Sequence, residues 1–596
     1  MRVLIIGDVF HTKQLEAILR QAGIAPVFAN SRQLPTTPAD VLEADMAIVG
    51  ADHGDHRPVK GYSFLQKIPL VIPITGENIA AGIATVPEED VRTLSLYFGY
   101  GGKENLENAA LYMRRIAGEQ LPIPAAPVKT QFASMYSLDG QLYDSRDEFF
   151  QAQGRTYPVY VGMLSYRSRW TDADMDTEYQ IIRALQERNI GVIAAYSEST
   201  PDREIGCPSF EETVEAFFCQ EGRPVISLLI NFQFFGVKGG AGQSMFDRAA
   251  AYFAGLGIPV LRPTGSNGLG LEDWRASQNP LASELVVNYQ VPELQGMIEP
   301  VFISYGGGKR THLAIPERIS RLAGRVEKWV GLRSKPNREK KIVLILHNAV
   351  CSGVEATIGQ ASDLDAFESV VQILKRMRQE GYTLENVPPD GKALYRQIMD
   401  RKAYSDFRWT SAEDIQHSGG VLYAMPQEEY EEYYQSLSEE ARARMEESWG
   451  AAPGEAMVLN GRLLITGIAY GNVAVMVQPK RGCYGAKCTG EVCKILQDPH
   501  CPPTHQYLAS YWYMERRFKA DGCIHVGTHG SLEFLPGKAV GLGESCFSDA
   551  ALGSLPNLYL YNTSATAEAL VAKRRSYAVT LGHLPSPGSA GDHVLP

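Results

Sequence analysis

At 596 residues the chain has room for several domains of about 100–200 residues each, and its 44% hydrophobic and 21% charged content excludes general disorder. A formal charge of −11 argues against nucleic acid or an anionic membrane as the main partner, because both reward basic surfaces. No apolar run spans a bilayer, the N-terminus reads as a strand and not a signal peptide, and nine cysteines fit a reducing cytoplasm better than a disulfide scaffold.

The first segment alternates strand and helix. Arg2–Ile6, Met46–Val49 and Leu70–Ile74 read as buried strands, with helices over 12–22 and 104–117. The stretch Leu121–Val128 carries Pro122, Pro124 and Pro127, which make it stiff and extended. The second segment repeats the rhythm. Val159–Leu164, Gly191–Ala195, Val225–Ile230, Pro259–Leu261 and Val301–Ile303 are strand candidates, and Met175, Tyr179, Ile182 and Leu185 mark one helix face. The third opens on the strand Ile342–Leu346, followed by a helix over about 363–380 and a solvated, Glu- and Arg-rich run over 428–448.

Strands alternating with helices predict a multidomain α/β protein, with several mostly parallel sheets flanked by helices. The expected divisions are an N-terminal α/β domain over 1–125, a linker region over 126–155, a second α/β domain over 156–330, and a third over 341–596 ending in a frayed tail.

No G-x-x-x-x-G-K-[ST] motif occurs, so the chain does not read as a P-loop ATPase. The glycine-rich pieces at 239–242, 265–270 and 306–308 lack a dinucleotide fingerprint and read as loops at strand ends. The informative region is 478–583, which holds six of the nine cysteines, and four of the twelve histidines fall between His500 and His529 within it. Cys483, Cys488, Cys493 and Cys501 do not follow zinc or ferredoxin spacing and read as buried or loop thiols, with a metal or cluster as the alternative.

His525, His529 and Glu533 recur every four residues, and Gly527 and Gly530 break any regular helix between them. Two glycines let the backbone approach a ligand closely. Imidazole and carboxylate suit a divalent metal or a proton-accepting base; packed polar residues are the bland alternative. Pro502 or Pro503 fits the first turn of a following helix, whose Tyr507, Tyr511, Met514 and Phe518 form a core face and whose His505 and Glu515 are candidates for a cleft.

At this point the sequence resembles the large subunits of ATP-dependent metallochelatases, the CobN-type cobaltochelatase and magnesium chelatase H subunits. The resemblance is carried by CTGEVCKILQDPHCPPTHQYLASYWYMER (488–516), HVGTHGSLEFLPGKAVGL (525–542), LPNLYLYN (555–562) and AKRRSYAV (572–579), with softer support from HNAVCSGVEATIG (347–359) and upstream segments. It implies a nitrogen–metal ligase that inserts a divalent metal into a tetrapyrrole. The expected reaction is Co2+ into a corrinoid precursor such as hydrogenobyrinic acid a,c-diamide; the alternatives are Mg2+ into protoporphyrin IX, or a non-catalytic tetrapyrrole-binding relative. ATP would be hydrolysed by AAA+-type partner subunits, in keeping with the missing P-loop.

The same resemblance implies Glu533, His529 and His525 as catalytic and metal-handling residues, with His347, Cys351 and Glu355 as further metal candidates. Lys573, Arg574, Arg575, His505 and Arg167 become tetrapyrrole-binding candidates, Arg169 a weaker one, because guanidinium groups grip carboxylates bidentately. Family members run well past the KRRSYAV region, so a truncated form, a split half or a degenerate relative is expected, with a separate C-terminal half or another copy as a further partner.

Overall fold

In the computed structural model, residues 1–7, 13–29, 43–50, 63–75, 78–79, 82–172, 174–198, 201, 206–233, 243–266, 268–280, 284–306, 312–348, 357–361, 364–405, 410–482, 500–562 and 566–583 are described. Three main sheets organise them. The first has four parallel strands in the order Ala25–Ala29, Arg2–Ile6, Met46–Val49, Leu70–Pro73. Helices Lys13–Gln21, Glu88–Tyr100 and Lys103–Ile116 contribute to its core through residues such as Leu19, Leu94 and Met113.

The second sheet runs Val260–Leu261, Leu229–Asn231, Tyr160–Tyr166, Gly191–Ser197, Ala133–Tyr136, Leu142–Tyr143. Its first four strands are parallel, and Ala133–Tyr136 runs antiparallel to both Gly191–Ser197 and Leu142–Tyr143. Residues 133–136 and 142–143 were expected in a linker; they form this sheet edge, because Met135 and Tyr136 bury fully against Gly191–Ser197. The expected strand Val225–Ile230 shortens to Leu229–Asn231, with Val225 exposed.

The third sheet has six strands in the order Ile468–Tyr470, Val473–Val477, Ile342–Leu346, Gly522–Val526, Asn557–Asn562, Ala578–His583, parallel except for the first. Ile342–Leu346 is a run of five β-branched or leucine residues, all buried, as a central parallel strand covered on both faces requires. The run 428–448 resolves into helices Gln427–Tyr434 and Glu439–Trp449, whose Tyr430, Tyr434, Ala441 and Met445 reach the core while their glutamates face outward.

One apolar core joins the second and third sheets. Helix Pro316–Ser334 lies in it and carries two fully buried arginines. Arg318 pairs with Asp549 at 2.9 Å, and Arg325 grips Glu299 bidentately. Desolvating such charges is offset only by full pairing. Tyr577 adds a bond to Asp549, donating at 2.8 Å, and Trp329 adds one to Glu299, donating at 2.7 Å, while Arg318 Nη1 has no partner among the described residues. Among the described residues no helix is long and apolar enough to cross a membrane.

Candidate functional site

In the third sheet the chain leaves Ile342–Leu346 for a strand on one side, then crosses to Gly522–Val526 on the other. Such a reversal opens a crevice beyond the carboxyl ends of the two strands. His347 follows the first strand, and the loop Gly527–Ser531 follows the second. The rings of His347 and His529 meet there edge to face, 5.3 Å between centroids.

The two loop glycines are explained by protein neighbours. A Cβ on Gly527 would lie 2.2 Å from the His347 Cβ, and one on Gly530 would lie 2.1 Å from the Tyr559 hydroxyl. The close approach expected toward a ligand is made instead to the side chains that build the site.

Glu533 is wholly buried. One carboxylate oxygen accepts the Gly530 N–H at 3.0 Å and the other the Tyr559 O–H at 2.6 Å. Burial raises its proton affinity, and the Tyr559 hydrogen bond, its backbone bonds and His529 oppose the rise. His529 donates from Nδ1 to the Gly530 carbonyl at 2.8 Å, which leaves the Nε2 lone pair for an ion or a proton. The Nδ1 of His347 has no hydrogen-bond partner among the described residues. Burial first, then His529, lowers this imidazole to about 4, so it is neutral at pH 7.

His525 behaves differently from expectation. Asn557 donates from Nδ2 to the Ser576 carbonyl at 2.9 Å, so its Oδ1 faces His525 Nδ1 at 2.8 Å, and that nitrogen carries the proton. Its Nε2 accepts from the Tyr511 hydroxyl at 2.9 Å. Both nitrogens are used, the ring stacks on Tyr559 at 4.4 Å, and burial lowers it to about 3. His525 is therefore a neutral wall of the site, with no lone pair for a metal. Gln478 extends the network by donating to the Tyr507 and Tyr511 hydroxyls, each at 2.9 Å, and Tyr507 reaches Ser531 at 2.9 Å. The expected core face of this helix thus also holds the site's loop. The helix itself begins at His505 behind the Thr504 cap, with Pro502 and Pro503 ahead of it, outside the first turn.

Glu533 also lies on the wall of a cavity of about 560 Å³, within the range of about 300–1,000 Å³ usual for small-molecule sites. Its lining is markedly cationic: Arg275, Arg444, Lys538, Arg574 and Arg575 against Glu440 and Glu533. Arg575 donates to the Leu535 carbonyl, while its Nε has no partner among the described residues. Burial and nearby Arg481 lower its proton affinity against the pull of Cys546 and Glu533, an environment that favours an incoming anion. Arg574 is held bidentately by Glu293 at 2.8 Å, and Lys573 lines a different, smaller cavity.

Other candidates lie elsewhere. His505 is buried between the Tyr430 hydroxyl at 2.7 Å and the Gly450 carbonyl at 3.0 Å. Glu515 accepts the Ser554 N–H. Arg167 is buried and donates to the carbonyls of Tyr100, at the end of helix Glu88–Tyr100, and Gln131, at 2.7 and 3.0 Å. Arg169 is spent on Asp174 and Glu178. Cys351, Glu355, Cys483, Cys488 and Cys493 lie outside the described residues. Among the described residues no cluster of three or more His, Cys, Asp or Glu is assembled for a metal.

Sequence reading missed Tyr559, Asn557 and Gln478, and the cavity residues Arg275, Arg444 and Lys538. Lys538 lies inside the 525–542 match, and Asn557 and Tyr559 inside the 555–562 match, so these three carried a nearby signal.

A family model described as CobN/Magnesium Chelatase matches residues 95–593. An uncharacterised protein of Methanocaldococcus jannaschii is 38% identical over 502 residues, covering 82% of this chain and 40% of that protein. The aerobic cobaltochelatase subunit CobN of Pseudomonas aeruginosa is 33% identical over 541 residues, covering 87% and 40%. Among solved structures, the catalytic subunit of cobaltochelatase from Mycobacterium tuberculosis superposes with a TM-score of 0.73 at 24% identity, covering 98% of this chain and 47% of that one. The chain thus spans 40% of the length of the two curated relatives named here.

Proposed function

The chain belongs to the CobN/magnesium chelatase family, and from that premise we propose that it binds a tetrapyrrole in the cationic cavity of the third domain and takes part in inserting a divalent metal. The single observation that carries this reading is Glu533, a buried carboxylate on the wall of a cavity rich in arginine and lysine. Insertion replaces two pyrrole N–H protons by one dication. A base must take those protons, and positioned general bases contribute about 10²–10⁴-fold.

Glu533 is held for that task by Gly530 and Tyr559, and burial makes it the stronger base. The free Nε2 of His529 and the unpartnered Nδ1 of His347 supply nitrogen donors for the incoming ion. Arg575 and Arg444 supply charge for the macrocycle's carboxylates, and Lys538, whose Nζ donates to the Arg275 and Ser277 carbonyls, adds to the positive field. Energy would come from AAA+-type ATPase partners, because this chain has no P-loop.

Imidazole nitrogen suits Co2+ better than Mg2+, which prefers oxygen and retains its water. The histidine pair therefore favours cobalt and a corrinoid precursor over magnesium and a porphyrin. The test is Glu533→Gln in the complex reconstituted with its ATPase partners. The reading expects macrocycle affinity within about twofold of wild type and insertion slowed by about 10²-fold or more. Unchanged insertion would overturn the role of Glu533.

A further inference from the structure

Helix Thr566–Arg575 ends in three consecutive basic residues, and consecutive residues on a helix point about 100° apart. They face three different places. Arg575 lines the 560 Å³ cavity. Lys573 lines a second cavity of about 200 Å³ on the other side of the helix end. Arg574 lines the larger cavity but is clamped by Glu293, from Nε to Oε1 and from Nη2 to Oε2, both at 2.8 Å; Glu293 itself lines the smaller cavity. The ion pair is thus the partition between the two spaces.

Both partners are mostly buried, with side chains 15% and 11% exposed. Glu293 sits on the short helix Val291–Leu294, which continues a π-helical turn over Val286–Gln290. Such turns are rare and frequent at functional sites. Lys573 has no ion-pair partner among the described residues, so the smaller cavity offers the Glu293 carboxylate a second cation and room for another rotamer.

We propose that Glu293 is a specificity-determining switch: it occupies Arg574 while the larger cavity is empty, and a ligand carboxylate takes Arg574 over as Glu293 turns into the smaller cavity toward Lys573. The proposal rests on the reading that the larger cavity takes a carboxylate-bearing macrocycle. One face of a guanidinium holds one carboxylate bidentately, so the two acids compete. A macrocycle without carboxylates cannot displace Glu293. Sites built around a buried polar contact reject the analogue that lacks it.

The test uses the full chain and two probes, deuteroporphyrin IX with its two propionates and its dimethyl ester, titrated by fluorescence. Glu293→Gln should tighten the diacid by about tenfold, equivalent to about 1.4 kcal/mol, and leave the ester unchanged. In an Arg574→Met background the same substitution should change diacid affinity by less than about twofold, because the competitor has nothing left to hold. Lys573→Met should weaken the diacid by about threefold by removing the second resting place of Glu293.

Thermal unfolding checks that each variant folds. Should Glu293→Gln fail to fold, Glu293→Asp, too short for the bidentate grip, is expected to tighten the diacid as well. If wild type binds the diacid and Glu293→Gln does not tighten it, or tightens it equally in the Arg574→Met background, the switch is wrong and the cavity reading stands. If wild type and all variants bind neither porphyrin, the cavity reading falls and takes the switch with it.

Discussion

The second and third sheets share one plan, a parallel sheet whose chain reverses direction between two central strands, yet they use the resulting crevice differently. At the second, between Tyr160–Tyr166 and Leu229–Asn231, polar groups close on one another. Gln233 donates to the carbonyls of Ser165 and Ser197, both at 2.6 Å, and Arg167 and Arg169 are consumed by protein acceptors. At the third, His347 Nδ1, His529 Nε2 and the cationic cavity beside Glu533 keep chemistry available. Topology supplies a crevice at both, and among the described residues unpartnered buried polar atoms occur at both, Ser165 Oγ and Tyr196 Oη at the second and His347 Nδ1 at the third. What sets the third apart is the cationic cavity beside Glu533.

The comparison can be broken most sharply through Arg169. Arg169→Ala leaves Asp174 and Glu178 buried without their cation, which should cost about 3–5 kcal/mol of stability. Denaturant titration should show that loss, and macrocycle affinity in the third domain should not move. Arg575→Ala should do the reverse. It should lose about 1.5–3 kcal/mol of binding to a carboxylate-bearing macrocycle in an absorbance titration, with little change in unfolding midpoint. Equal effects of the two variants on binding would erase the distinction.

Gly530→Ala should follow, at about 1–3 kcal/mol, because its Cβ meets the Tyr559 hydroxyl at 2.1 Å. It should slow metal insertion more than it weakens macrocycle binding, since what it displaces is the donor to Glu533. A loss confined to binding would place Tyr559 outside the insertion step.

The smallest and most graded test is pH. His525 and His347 are held at about 3 and about 4, against about 6.5 in an unfolded chain. Below pH 6.5 the unfolded chain binds protons that the folded one refuses. Stability therefore falls with pH, by about 1.4 kcal/mol per pH unit for each group, until the folded values are reached. Burial, outweighing Arg169, raises Asp174 in the second domain to about 7, so from pH 7 down to about 4 that group adds stability as pH falls. Hydrogen exchange read segment by segment at pH 7 and pH 5 should show the third domain loosening before the second. The opposite order would contradict these assignments.

Much of this architecture is legible in the sequence, because periodicity reports burial. Ile342–Leu346 reads as a buried strand, and the HVGTHGSLEF stretch stands out by its density of histidine, glycine and carboxylate. Partners are not legible. The residues that fix Glu533 and neutralise His525 come from strands and loops separated in the chain, Tyr559, Asn557 and Gln478; Asn557 and Tyr559 lie in the matched segment 555–562, but no local pattern says which side chains they meet. The run of Lys573, Arg574 and Arg575 announces charge, but only packing shows that the three face different spaces. Arg167 and His505 look like site residues in sequence because burial and ligand binding select the same residue types.

The measurement that bears most directly on the central claim is an absorbance titration of the chain with a cobalt-free corrinoid diamide, protoporphyrin and sirohydrochlorin, repeated with Arg575→Ala. The account predicts saturable binding of one macrocycle by the wild type, weakened at least tenfold, about 1.4 kcal/mol, by the substitution. Saturable binding that Arg575→Ala leaves untouched, or no binding of any of the three, would contradict the assignment of this cavity as the tetrapyrrole site.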